Sequence, residues 1–167
     1  DDNLELLYST IPIVIKAPGK EDKVIDSNCL KAVVGEYPTY NSTAPIKVDD
    51  EWLVFYHWKY MAWDTSIGNS YLLYHTGAYT LDGEMTKVTR MSTKAIFSGS
   101  TRDQMIWWTD PLGTPVSKQP CCALPFGGAY DEEEHTLELA IGVNDSFMGI
   151  FVCPIDYVMG TLDRISS

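Results

Sequence analysis

Apolar residues fall in short runs rich in Val, Ile, Tyr, Trp and Thr, broken by Gly, Pro, Asn or Asp, a pattern of strands and turns rather than of long helices. The runs predict strands over residues 11–17, 29–37, 51–63, 70–81, 84–91, 95–98, 104–109, 121–126, 136–143 and 149–153, two of which are expected to merge or fail. Turn signals separate them at Ala17-Pro18-Gly19-Lys20, Asp110-Pro111-Leu112-Gly113 and Phe126-Gly127-Gly128, and Asp82-Gly83 is the strongest hairpin signal. In the run from Trp52 to Tyr60, one face carries Trp52, Val54, Tyr56, Trp58 and Tyr60, and the other alternates Leu53 and Phe55 with His57 and Lys59. The first of these faces is expected to point inward. Helical pattern is confined to the ends, with a short turn around Leu4, Leu7 and Tyr8 and a helix within residues 155–165.

A chain of 167 residues is one ordinary domain, here residues 1–167. Some eight sequential antiparallel strands close into an up-and-down barrel or stack as two sheets, and alternation alone does not choose between them. Apolar residues make up 45% of the chain and charged residues 21%, enough for a packed core.

Charge and cysteines narrow the setting. Twelve basic against twenty-three acidic residues give a formal net charge of −11, which repels phosphate backbones and anionic headgroups and argues against nucleic acid as a partner. No apolar run is long enough to span a bilayer, and the start Asp1-Asp2-Asn3 lacks the basic and apolar regions of a signal peptide, so a mature, soluble chain is expected. Cys29, Cys121, Cys122 and Cys153 show no zinc spacing, and Asn41-Ser42-Thr43 and Asn144-Asp145-Ser146 are glycosylation sequons. Together these predict two disulfides, sugars on Asn41 and Asn144, and secretion. Three connectivities are open; adjacent Cys121 and Cys122 point to opposite faces of a strand and should reach different partners. A bond between Cys122 and Cys153 would be worth roughly 3–4 kcal/mol by loop closure.

Catalytic signatures such as GxSxG, HExxH, GxxxxGK[ST] and CxxC are absent. His57, His75 and His135 have no second ligand at metal spacing and read as surface or structural histidines, and no metal site or cofactor is expected. Asp64, Asp103, Asp110 and Glu138 are the carboxylates that a barrel could bring together in a glycosidase-like pair. Five Trp, ten Tyr and five Phe suit the walls of a pocket as well as a core.

The stretch Cys122-Ala123-Leu124-Pro125-Phe126-Gly127-Gly128, followed by Asp131-Glu132-Glu133-Glu134 and Leu137-Glu138-Leu139, resembles the salivary lipocalins of ticks, with Cys153 ahead of a helical tail and Cys29 at family-like positions. The resemblance implies an all-β, eight-stranded antiparallel up-and-down lipocalin barrel with a short N-terminal helix and a C-terminal helix. It also implies a secreted, monomeric protein that is not an enzyme and carries no cofactor, and that sequesters a small ligand and modulates host immune or inflammatory responses, with a host immune-cell receptor or mediator as partner. It pairs Cys153 with Cys122, which leaves Cys29 for Cys121. Two features depart from the amine-binding relatives: no cysteine follows Cys153, and Ala140 follows Leu139 where an aromatic residue is common. An ammonium ligand needs buried carboxylates, and the match supplies Glu138 alone. A sterol or fatty-acid-like lipid needs only an apolar wall, and burying about 400 Å² of it would supply on the order of 10 kcal/mol before association costs. The resemblance therefore favours a lipid held by Trp52, Val54, Tyr56, Trp58, Tyr71, Leu73, Met105, Trp107, Glu138 and Ala140. Scavenging of histamine or serotonin, with Glu138 and one or more of Asp64, Asp103 and Asp110 in the lumen, is the first alternative. A protein-binding immune antagonist with a filled interior is the second.

Overall fold

Apolar side chains on both faces of a strand require cover on both sides, and the long strand built from residues 51–64 receives it. In the computed structural model, which describes residues 6–64, 69–98, 120–143 and 147–165, this strand is the middle of a stack of three antiparallel sheets. The first sheet is the meander β1 (Leu6–Thr10), β2 (Ile13–Lys16) and β3 (Lys23–Ile25), followed by helix α1 (Asn28–Val34). The middle sheet runs β14-β8-β7-β6-β4, from β4 (Thr39–Asn41), β6 (Glu51–Asp64), β7 (Asn69–Leu81), β8 (Val88–Ser92) and the C-terminal β14 (Leu162–Arg164). β5 (Ile46–Val48) also pairs with β6, and β9 (Phe97–Ser98) and β10 (Pro120–Cys121) pair with β7, the last in parallel. The third sheet is the meander β11 (Ala123–Asp131), β12 (Thr136–Val143) and β13 (Phe147–Pro154), and helix α2 (Ile155–Met159) leads from it to β14.

Two cores hold the stack together. Between the first and middle sheets, Val54, Tyr56, Trp58, Tyr79 and Leu81 pack on Ile13, Ile15, Ile25 and, from α1, Leu30 and Val34. Between the middle and third sheets, Leu53, Phe55 and Ala78 pack on Leu137, Leu139, Ile141 and, from α2, Ile155 and Val158. Burial of this apolar surface, at roughly 25 cal/mol/Å², is the main force on the stack.

The all-β class is therefore correct, whereas the closed lipocalin barrel is not: among the described residues the strands divide into three sheets instead of pairing round a ring. The face of β6 expected to turn outward is also buried at Leu53 and Phe55. Local differences follow from spacing. Residues 28–34 form α1 rather than a strand, because Leu30 and Val34 lie one turn apart and reach the same core. Leu7 and Tyr8 stand in β1 rather than in a helical turn, and the C-terminal helix stops at Met159, before β14. Residues 82–87 form the turn between β7 and β8, where the Asp82 carboxylate accepts hydrogen bonds from the Thr86 and Lys87 amides. The strand expected over 104–109 lies outside the described residues.

Candidate functional site

The site is set by strand alternation at the edge of the middle sheet. On β4, Tyr40 lies opposite His57 and Asn41 opposite Tyr56, so the two residues face opposite sides. Asn41 turns into the first core, where its Oδ1 accepts hydrogen bonds from Thr10 Oγ1 at 2.9 Å and Tyr79 OH at 3.2 Å. The amides of Ser42 and Thr43 then donate to the Phe55 carbonyl, and Thr43 Oγ1 accepts from the Phe55 amide. These bonds tie the segment to β6 and bring Ser42 Oγ to 2.7 Å from His57 Nδ1.

Around this pair the face is aromatic and cationic. The Tyr40 ring stacks on His57 at 5.4 Å, and Tyr74 of β7 stands 5.8 Å from the same imidazole. Lys59, directly opposite Tyr74 in the register, holds its ammonium over both rings, 5.4 Å from the Tyr40 centroid and 5.9 Å from that of Tyr74. Among the described residues no carboxylate forms an ion pair with Lys59. Tyr40 is about half exposed, at 48%, so its ring is available to a ligand.

Burial, reinforced by the Lys59 charge, lowers the His57 pKa to about 4. The imidazole is thus neutral at pH 7, with one ring nitrogen protonated, and the donor in the Ser42 Oγ–Nδ1 hydrogen bond follows from which nitrogen that is. Such a weakly basic imidazole is a poor general base for Ser42, and the arrangement is built for recognition more than for nucleophilic attack. Because the folded pKa lies below the ordinary 6.5, this residue's contribution to stability is fully present above pH 6.5 and is lost as pH falls toward 4. Thermal melts should show Tm falling across that window, with a shallower fall in His57→Gln. Some slope remains from His75, whose pKa burial also lowers. Equal slopes in the two proteins would show that His57 is not held neutral by the fold.

Of the residues expected to hold a ligand, those that the structure describes do not converge on a lumen. Val54 and Tyr56 are fully buried and Trp58 nearly so, and with the partly buried Trp52 they fill the space between the first two sheets. Leu73 and Tyr71 lie on β7, opposite Tyr60 and Ala62 of β6. Glu138 is exposed on the outer side of the third sheet, opposite Ala129 and Val152, and Ala140 is its half-buried neighbour on that side. Asp64 ends β6 opposite Asn69. Met105, Trp107, Asp103, Asp110 and Asn144 lie outside the described residues.

The cysteine pairing is also corrected. Cys29 and Cys153 are free thiols. Cys122 precedes Ala123, which lies opposite Val143, whereas Cys153 lies opposite Leu137. Six residues of β12 separate those positions, about 20 Å along the strand, and a disulfide needs Cα atoms within about 7 Å. Burial raises the thiol pKa of both Cys29 and Cys153 and keeps them protonated. At the first sequon, Asn41 Nδ2 is shut off from solvent, so the atom that would carry a glycan is inaccessible in the folded chain.

A cleft of about 480 Å³ lies elsewhere, lined by Asp26, Asn28, Cys29, Lys87, Thr89 and Arg164 among others. It mixes both charges and contains no aromatic wall. Among the described residues no group of His, Cys, Asp and Glu is arranged to hold a metal, and no helix is long and apolar enough to cross a membrane.

No family model matches the chain, and no curated protein matches it. Among solved structures it is similar to MPT-1, a GDP-Man-dependent mannosyltransferase from Leishmania mexicana, at 13% identity and a TM-score of 0.49, over 92% of this chain and 51% of that one. The chain thus spans about half the length of that structure. The described strands form three sheets and no closed barrel, which overturns the resemblance to tick salivary lipocalins, and the ligand sequestration, immunomodulation and non-enzymatic role that rested on it fall with it.

Proposed function

We propose that the chain recognises a sugar carrying an anionic group, of the glycosyl phosphate kind, and that it does so in the service of glycosyl transfer. The observation that carries this reading is the Lys59 ammonium lying over Tyr40 and Tyr74 beside the Ser42–His57 pair. Tyrosine rings offer flat apolar surface to the C–H face of a sugar ring, while hydroxyl and imidazole donors meet its hydroxyls. Lys59 supplies a positive charge for phosphate in a chain whose net charge is −11, so anion binding here depends on a local field working against the global one.

Titration followed by NMR or calorimetry, using mannose 1-phosphate, GDP-mannose and free mannose, tests this. The phosphorylated sugars should bind more tightly than mannose. Lys59→Ala should weaken them at least about tenfold, equivalent to about 1.4 kcal/mol, and bring their affinity close to that of the neutral sugar. Absence of binding by all three at millimolar concentration, or an unchanged affinity in Lys59→Ala, would rule the reading out.

A further inference from the structure

The cleft of about 480 Å³ shares no residue with the face around Lys59, and its size is that of a small-molecule site. One wall is the link from β3 to α1, with Asp26 and Cys29. The other is the edge of the middle sheet, with Lys87 and Val88 at the start of β8 and Arg164 and Ile165 at the end of β14. The floor is apolar: Val88 is buried, and Cys29 and Ile165 pack on the first core.

The charges of this cleft sit on fixed backbone and lack partners. Asp26 Oδ1 accepts the Asn28 amide at 2.9 Å, and the Ile165 amide next to Arg164 donates to the Thr89 carbonyl at 3.0 Å. Lys87 ends the turn that Lys23 Nζ ties to the first sheet through the Glu84 carbonyl at 2.6 Å. Yet among the described residues none of Asp26, Lys87 and Arg164 forms an ion pair. Asp82, the carboxylate nearest in effect to Lys87, is occupied by the Thr86 and Lys87 amides and the Thr86 hydroxyl. Arg164 also stands directly opposite Arg90 in the β14–β8 ladder, and Glu51 serves Arg90 at 3.0 Å. Like charges opposite one another weaken a strand pair, so the second guanidinium is a cost to the fold that an arriving anion relieves. Asp26 is the case of opposite sign. Burial and then the Asp26 charge raise the Cys29 thiol pKa, so this carboxylate acts inside the cleft.

We propose that the cleft binds a free α-amino acid with an apolar side chain, its carboxylate drawn to Lys87 and Arg164, its ammonium to Asp26, and its side chain laid on Val88, Ile165 and Cys29. A ligand of one charge would bring a like charge against part of the wall and leave the rest unmatched. A zwitterion matches both signs at once, and the floor selects an aliphatic side chain over a polar one.

Calorimetric titration with L-leucine, N-acetyl-leucine and leucine amide tests the proposal. Leucine should bind, and masking either of its charges should weaken binding at least about tenfold. Arg164→Gln and Asp26→Asn should each weaken leucine to a similar extent. Both side chains are exposed, and asparagine keeps an oxygen for the Asn28 amide, so the variants should fold; circular dichroism checks this. Alkylation of Cys29 by iodoacetamide, followed by peptide mass spectrometry, gives a second readout on the unaltered chain: saturating leucine should slow it, and leucine amide at the same concentration should not. No binding of leucine at millimolar concentration would overturn the proposal. So would N-acetyl-leucine or leucine amide binding as tightly as leucine, the behaviour of a plain anion or plain cation site. Full affinity in either variant, or unprotected Cys29 in the leucine complex, would put the amino acid outside this cleft and overturn it equally. None of these outcomes depends on the Lys59 site.

Discussion

Phe55→Ala is expected to destabilise the fold by about 3–5 kcal/mol. The ring is fully buried, faces the second core with Leu53 and Ala78, and lies 6.3 Å from the Phe97 ring, which in turn meets Phe151 edge-on at 5.5 Å. Its removal leaves a cavity between two sheets whose backbones are fixed by ladder hydrogen bonds, so the site cannot collapse to fill it. The Phe55 backbone also anchors Ser42 and Thr43, which couples this packing to the geometry of the candidate site. Urea unfolding should show a lower midpoint with a similar slope, and Tm should fall by on the order of 10 °C. A loss below about 1 kcal/mol would mean that the middle and third sheets are not packed as described.

Gly77→Ala is expected to cost about 1–3 kcal/mol through overpacking. A Cβ at this position would stand 2.7 Å from Ser92 Oγ and 2.8 Å from both Cζ and the hydroxyl oxygen of Tyr56. Tyr56 has no room to retreat: it is fully buried, stacked on Trp58 at 5.7 Å and tilted against Tyr79 at 5.9 Å. Ser92 Oγ meanwhile accepts the Ala78 amide hydrogen bond. The added methyl must displace an aromatic cluster or break that bond. Gly149 has nothing within 4 Å of its Cβ position and serves as the control, so that Gly149→Ala should unfold close to the unaltered chain. Equal stabilities for the two alanine variants would remove the close approach of β7 to Tyr56 from the account.

Much of the strand content was legible in the sequence, because β6, β7, β12 and β13 each run for eight residues or more and alternation needs such length to declare itself. β3, β4 and β5 have three residues each, too few for a period, and pairing with longer neighbours creates them. The architecture was misread for a different reason. A barrel wall and a sheet in a stack show the same alternation, but Leu53, Val54, Phe55 and Tyr56 are consecutive and all buried, which marks a strand covered on both sides. In the candidate site, His57 and Lys59 were visible as polar intrusions into an apolar strand. Tyr40, Ser42 and Tyr74 belong to other segments and join them only through the register of β4, β6 and β7.

The return of β14 to β8 sets an order on biosynthesis. The Thr93–Asp163 hydrogen bond, beside that ladder, joins residues 70 positions apart, and α2 contributes Ile155 and Val158 to the second core on the way. A nascent chain halted before residue 155 has therefore made all the long strands of its middle sheet but cannot yet finish its edge. On the ribosome the first meander can settle early, whereas the edge of the middle sheet at β8 is covered only once β14 has emerged.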